Sequence, residues 1–204
     1  MFVVLFEVRI KPSQWDRYLG LAARLRPELV RIPGFIDNER YRSEQTEGLL
    51  LSVSTWESEK AVVRWRTHAL HHEIQRLGRF EVFDDYHLRV GEVVTDTAAA
   101  ADLPQTRLDP TETGEATAVA VTEVAPGADA PDGPSPSAGA VGTAEYTGIT
   151  TEGKRVRLVS WRTGEEASDW IAGQAPGSRH RHVRVVRDYG LRERGEAPQY
   201  FPAT

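Results

Sequence analysis

Segment 58–73 holds Trp65, His68, His71 and His72 within eight residues. Read as a helix at about 100° per residue, it sets Ala61, Trp65, His68 and His72 within an arc of about 60° and turns His71 elsewhere. Three chemistries suit that arrangement. Trp65 can be core with histidines at its rim. Alternatively, the indole is a flat wall for an aromatic ligand, with His68 or His72 accepting a proton near neutral pH. The third is a metal site, since His68 and His72 stand at i, i+4. No zincin carboxylate follows and no third histidine is evident, so no metal is assigned.

Arg40 and Tyr41, and Asp84, Asp85 and Tyr86, lie on predicted strands. An arginine facing a dry pocket would stabilise a phenolate or enolate, and alternation turns only one of each adjacent pair inward. The competing reading is sheet-edge charge and a packing tyrosine. His180 and His182 project to one side of a strand and read as surface decoration. The sequence has no Gly-rich phosphate loop, Walker motif or Gly-x-Ser-x-Gly elbow.

The elements that must position these residues follow from periodicity. Residues 2–10 alternate, with Val4, Phe6, Val8 and Ile10 on one face and Glu7 and Arg9 on the other. Helix 13–32 opens on a weak Ser13/Asp16 capping box and stops at Pro33-Gly34. Strands 35–44 and 49–56 flank a polar turn, helix 58–79 follows, and strand 80–94 closes the unit. This β-α-β-β-α-β order predicts a ferredoxin-like α+β domain over 1–94. Segment 95–117 reads as a flexible linker, and 125–142, with four prolines, as a loop.

Residues 118–194 repeat the pattern. An offset of 105 lays Tyr41 on Tyr146, Thr46-Glu47-Gly48 on Thr151-Glu152-Gly153, Trp56 on Trp161 and Trp65 on Trp170. After a two-residue deletion, Asp85-Tyr86 falls on Asp188-Tyr189 and Leu88-Arg89 on Leu191-Arg192. The second copy lacks the first helix, its second helix fails at Pro176-Gly177, and 195–204 forms a tail. A sheet with so little cover must bury its apolar face elsewhere. The expected fold is therefore two ferredoxin-like units packed sheet to sheet as an intrachain pseudo-dimer, with one formed pocket and one eroded.

The 204 residues allow one large or two small domains, and 40% hydrophobic content suffices for a core. The absence of cysteine excludes disulfides, thiolate metal sites and cysteine nucleophiles. A net charge of -5 argues against nucleic-acid binding. No apolar run approaches membrane-span length, and the N-terminal segment reads as a strand, so the expectation is a soluble, cytoplasmic chain.

The opening strand, Arg26-Pro27-Glu28-Leu29, Pro33-Gly34-Phe35-Ile36, the run from Trp56 to Ala61, that from His72 to Arg79, and that from Asp84 to Val90 resemble the antibiotic biosynthesis monooxygenase family, well over 1–94 and weakly over 117–194. The resemblance implies a dimeric α/β-barrel, here supplied by one chain. It also implies an activity among cofactor-free oxygenases of aromatic phenols and anthrones, haem-degrading enzymes or polyketide cyclases. In the cofactor-free case a deprotonated, electron-rich substrate reduces O₂ itself. Trp56 matches a pocket tryptophan of the quinone-forming members, with Ser52 and Val62 where they carry asparagine and tyrosine. For the haem-degrading members Trp65 matches, His71 or His72 lies near the iron ligand, and Glu7 or Val8 replaces an asparagine.

The expected function is oxygenation of an aromatic, polyketide-type metabolite by O₂ without a cofactor. Trp56 and Trp65 would be walls, His68 or His72 the base and Arg40 the anion stabiliser, with Tyr41, Ser52 and Tyr86 as further substrate contacts. The alternatives are a cyclase on the same pocket, a haem enzyme and a non-catalytic ligand-binding protein. Whether two tandem chains pair again as a homodimer stays open at this stage.

Overall fold

A computed structural model describes residues 1–99, 103–107, 109–131, 133 and 139–198. The first half runs β1 (Phe2–Ile10), α1 (Trp15–Leu29), β2 (Phe35–Ser43), β3 (Leu49–Trp56), α2 (Glu59–Arg66), α3 (Ala69–Leu77) and β4 (Phe83–Asp96). The second runs β5 (Ala118–Val124), β6 (Ala140–Gly148), β7 (Arg155–Trp161), α4 (Gly164–Ala172) and β8 (Arg179–Gly190). All eight strands close into one barrel in the order β1-β3-β2-β6-β7-β5-β8-β4. The halves thus form the expected pseudo-dimer, joined along β2–β6 and, over a longer run, β4–β8. Between β5 and β6 the described residues hold no helix.

Closure explains the strand composition. Val3 and Leu5 of β1 face the barrel interior with Tyr41, Leu51 and Val53, opposite Val119, Val121, Tyr146, Val156 and Leu158. Phe2, Val8 and Ile10 face outward beneath the helices. With both faces covered, most strands read as near-continuous apolar runs. The guanidinium ends inside the barrel are paired: Arg89 bonds Glu7 (2.8 Å) and Ser160 (2.8 Å), and Arg181 bonds Glu123 and Thr55 (3.1 Å), while the Nε of each has no hydrogen-bond partner among the described residues. Each arginine joins a carboxylate of its own half to a hydroxyl of the other.

Several sequence expectations are corrected. Helix 58–79 breaks in two. Ser58 caps α2 by accepting from the Ala61 N–H (3.3 Å), but the Thr67 hydroxyl bonds back to the Val63 carbonyl (2.9 Å) and His68 turns extended (φ -62°, ψ 129°) to start α3. The helical phase restarts there, so Trp65, His68 and His72 share no single helix face, although the His68 ring still stacks on Trp65 at 5.7 Å. Likewise, α1 is entered through a 3₁₀ turn at Pro12–Gln14, and no side chain caps it.

The register of the last strands also differs. Phe2 and Ala118 each pair with a tryptophan, Trp56 and Trp161, and on their other sides with Glu92 and Arg184. Glu92 and Arg184 are therefore equivalent, as are Leu88 and His180. Asp188 is not the counterpart of Asp85; it pairs with Arg89. The second copy lacks all of α3 and the π turn at Gly78–Val82, so the deletion is far longer than two residues.

The described parts of linker 95–117 are pinned rather than loose. Glu92 accepts from the Thr106 N–H (2.6 Å) and hydroxyl (2.7 Å), and the Thr111 N–H bonds the Val185 carbonyl (2.8 Å).

Candidate functional site

The outer face of the first-half sheet and its helices enclose a chamber of about 220 Å³. Its floor is two rows of side chains crossing five strands. One row is Arg40, Ser52, Phe6, Leu88 and Tyr189, and the other is Asn38, Ser54, Val4, Val90 and Arg187. Period-two alternation puts every member of a row on the same face. The fifth strand is β8, so the second half builds one end of the site. Tyr18, Leu21, Leu25 and Leu29 of α1 and Val62, Trp65, His71 and Ile74 of α2 and α3 form the roof. Arg79, Phe83, Tyr86, Arg194 and Pro198 complete the lining.

The chamber is largely apolar, with neutral polar groups at Asn38, Ser52, Ser54 and Gln75 and charge of one sign only among the described residues. Arg40, Arg66, Arg79, Arg187 and Arg194 line it, and no Asp or Glu does so among the described residues. Such a cavity favours an apolar ligand bearing an anionic or anion-forming oxygen. Arg40 hydrogen-bonds the Tyr18 phenol, and its Nε is buried without a hydrogen-bond partner. Tyr86 accepts a hydrogen bond from Arg194 Nη1 (2.8 Å), leaving its own proton to donate.

The histidine in the chamber is His71. Its ring stacks on Trp65 at 4.1 Å, and Nδ1 lies 2.8 Å from the Trp65 carbonyl oxygen. A carbonyl only accepts, so Nδ1 carries the proton and Nε2 keeps its lone pair. Burial pushes the pKa of this ring down to about 4, helped by charge on His68 and His72 and opposed by the carbonyl bond. It is neutral at physiological pH.

Of the residues singled out from sequence, Arg40, Ser52, Trp65 and Tyr86 line the chamber. His68, His72, Trp56 and Tyr41 are not among its lining residues. His68 heads α3 with Nε2 3.7 Å from Glu28, and the broken helix carries His72 off the lining. Trp56 is fully buried core, edge-on to Phe35 at 5.3 Å, with Nε1 donating to Ser54 (2.9 Å). Tyr41 points into the barrel. Arg187, Tyr189, Arg194 and Pro198 carried no local signal, because strand pairing brings the first two to this face and the C-terminal arm after β8 brings the others.

The equivalent face of the second half is filled. His180 and His182 replace Leu88 and Val90 and are buried, contrary to a surface role. They bond Thr122 (3.0 Å) and Ser168 (3.0 Å), and Trp170 packs on Trp161 and His180. Arg157 and Glu145, bonded at 2.7 Å, stand where Ser52 and Arg40 line the first chamber. A 160 Å³ recess beside Pro131 is what is left of that space. No group of three metal-ligating side chains occurs among the described residues. No helix among them is long and apolar enough to cross a membrane.

Comparison with known proteins adds the following. The model of the antibiotic biosynthesis monooxygenase family matches residues 1–77. A protein of Pyricularia oryzae named jasmonate monooxygenase ABM is 39% identical over 217 residues, covering 99% of each chain. Uncharacterized protein YqjZ of Bacillus subtilis is 34% identical over 92 residues, 45% of this chain and 78% of its own. A solved anthrone oxidase-like protein is 12% identical with a TM-score of 0.39, covering 97% of this chain and 96% of its own.

Proposed function

The chain belongs to the antibiotic biosynthesis monooxygenase family and is a monooxygenase, and on that premise we propose that its substrate is a small apolar carboxylate of one or two rings, taken into the first-half chamber. The observation that carries this reading is five arginines and, among the described residues, no carboxylate around a largely apolar space of about 220 Å³. An apolar cavity of roughly 150 Å³ holds benzene, so this one suits a molecule somewhat larger than a single ring. The fungal relative is named for jasmonate, itself a carboxylate, which supports the same class.

One oxygen atom of O₂ enters a C–H bond and the other leaves as water. Simple hydroxylation also consumes two electrons and two protons from a donor of the reduced nicotinamide or flavin class. Conversion of an activated CH₂ to a carbonyl releases water and needs no donor. In either case His71 Nε2 accepts a hydrogen bond or proton from the substrate, and Arg40 with Tyr18 faces a developing oxyanion. The apolar walls exclude water.

A second reading is a phenol or anthrone oxidised to a quinone by O₂ without a cofactor. The Trp65–His71 stack and the Phe6, Phe83 and Tyr86 rings favour it, as a flat aromatic surface beside a proton acceptor. The test is incubation of jasmonate and of an anthrone with isotopically labelled O₂, with and without reduced nicotinamide or flavin. One labelled atom in jasmonate supports the first reading; donor-independent labelling of the anthrone alone supports the second. Product formed without O₂ would instead identify a cyclase, and a Soret band on titration with haemin a haem protein.

A further inference from the structure

We propose that the second half of the chain, having lost its own chamber, supplies the anion-binding end of the first, with Arg187 as the anchor for the substrate's carboxylate. This rests on the carboxylate reading above and assigns the group to one end of the site.

The floor is polar at both ends and apolar between. Asn38, Arg40, Ser52 and Ser54 occupy β2 and β3, and Arg187 and Tyr189 occupy β8. Arg40 and Tyr189 terminate one row, four strand spacings or about 19 Å apart along the sheet. A ligand lying on the apolar middle therefore meets different groups at its two ends.

Charge distinguishes those ends. Arg66, Arg187 and Arg194 all act on the Tyr189 phenol, and Arg79 feels Arg194. Four cations thus converge at the β8 end, where no carboxylate lines the wall among the described residues. Arg194 is engaged with Tyr86 and the Gly190 carbonyl, whereas Arg187 makes no hydrogen bond or ion pair among the described residues while lining the chamber. A partly buried guanidinium in that state suits a planar, two-oxygen anion, which it holds with two parallel bonds.

The position also fits the divergence of the halves. The second half's own floor was closed by His180, His182 and the Arg157–Glu145 pair, while its last strand still pairs with β4, with register shifts at Val90/Gly91 and Val93/Thr95. The shift between Val90 and Gly91, which passes over Val186, is what delivers Arg187 beside Val90.

The test is calorimetric titration of the full chain with 1-naphthylacetate and with its methyl ester, which keeps the ring system and lacks the negative charge. The wild type is expected to bind the acid at least about tenfold tighter. Arg187→Leu should abolish that preference, and Arg40→Leu, at the opposite end, should keep it. Circular dichroism of each variant checks folding; Arg187→Gln serves if the leucine variant misfolds. An acid preference that survives in Arg187→Leu overturns the assignment. Equal binding of acid and ester by the wild type also overturns it, while labelled-O₂ incorporation independently decides whether the oxygenase reading stands.

Discussion

Glu92 and Arg184 occupy equivalent positions in the two halves and pair with each other at 2.8 Å across the barrel's pseudo-twofold axis. In a dimer of identical subunits that site would bring glutamate against glutamate or arginine against arginine. Complementary charge is available only to halves that diverged within one chain. Burial opposes ionisation of Glu92, and bonds from Thr106, Arg184 and Arg107 outweigh it, holding the carboxyl below the usual range.

Removing one partner leaves the other charge buried. Glu92→Ala is expected to destabilise the protein by about 3 kcal/mol, read from urea unfolding. The same experiment on residues 1–94 alone should give no stable homodimer, because two Glu92 side chains would meet on the axis.

His87 bridges the halves by bonding Asp188 (2.6 Å) and approaching Glu7 (3.5 Å). Burial opposes its protonation, but these carboxylates raise its pKa from 6.5 to about 9. Its stabilising contribution is therefore full below pH 6.5 and lost as pH rises through about 9. Burial also opposes ionisation of Glu7, yet His87, Arg89 and Tyr146 lower its pKa from 4.5 to about 2, so its contribution is full above pH 4.5 and lost towards pH 2. Thermal midpoints against pH should fall on both flanks, and His87→Gln should flatten the alkaline one.

Turnover should depend on His71 rather than on its neighbours. His71→Ala is expected to lower kcat by on the order of a hundredfold or more, and His72→Ala to leave it within a few-fold. Since His71 loses its proton near pH 4, the wild-type rate profile should show no histidine limb between about pH 5 and 8. Such a limb, abolished by His71→Ala, would contradict the neutral assignment.

The two first-half tryptophans should separate by readout. Trp56→Ala empties a fully buried site and should cost about 3–5 kcal/mol of stability. Trp65→Ala removes a chamber wall and should mainly raise KM, with a smaller change in unfolding.

Glu196 ties the C-terminal arm to the linker, accepting from Thr111 Oγ1 (2.7 Å) and the Glu112 and Asp188 N–H groups (2.7 and 2.5 Å). Glu196→Ala should loosen the arm that carries Arg194 and Pro198, raising KM more than it lowers kcat.

Local pattern was enough for much of this molecule. Alternation along 2–10, the Pro33-Gly34 stop and the tryptophan spacing of the two copies gave the strand order, the duplication and the sheet-to-sheet pseudo-dimer, and the family resemblance implied the barrel. Arg40, Ser52, Trp65 and Tyr86 could be singled out because strand and helix faces are legible over short spans. The break at Thr67–His68 was not, since a hydroxyl bond to Val63 and an extended residue leave an amphipathic run unchanged on paper. That single turn exchanges His71 for His68 and His72 in the chamber.

The sequence by itself determined which segments become strands and helices and which faces are apolar, because those are periodicities of neighbouring residues. Only the tertiary structure decided that Trp56 and Tyr41 are core, that Glu92 meets Arg184, and that Arg187 and Tyr189 complete a chamber belonging to the other half. Each of those outcomes depends on the register between strands far apart in the chain. A shift of one residue there would turn every side chain to the opposite face.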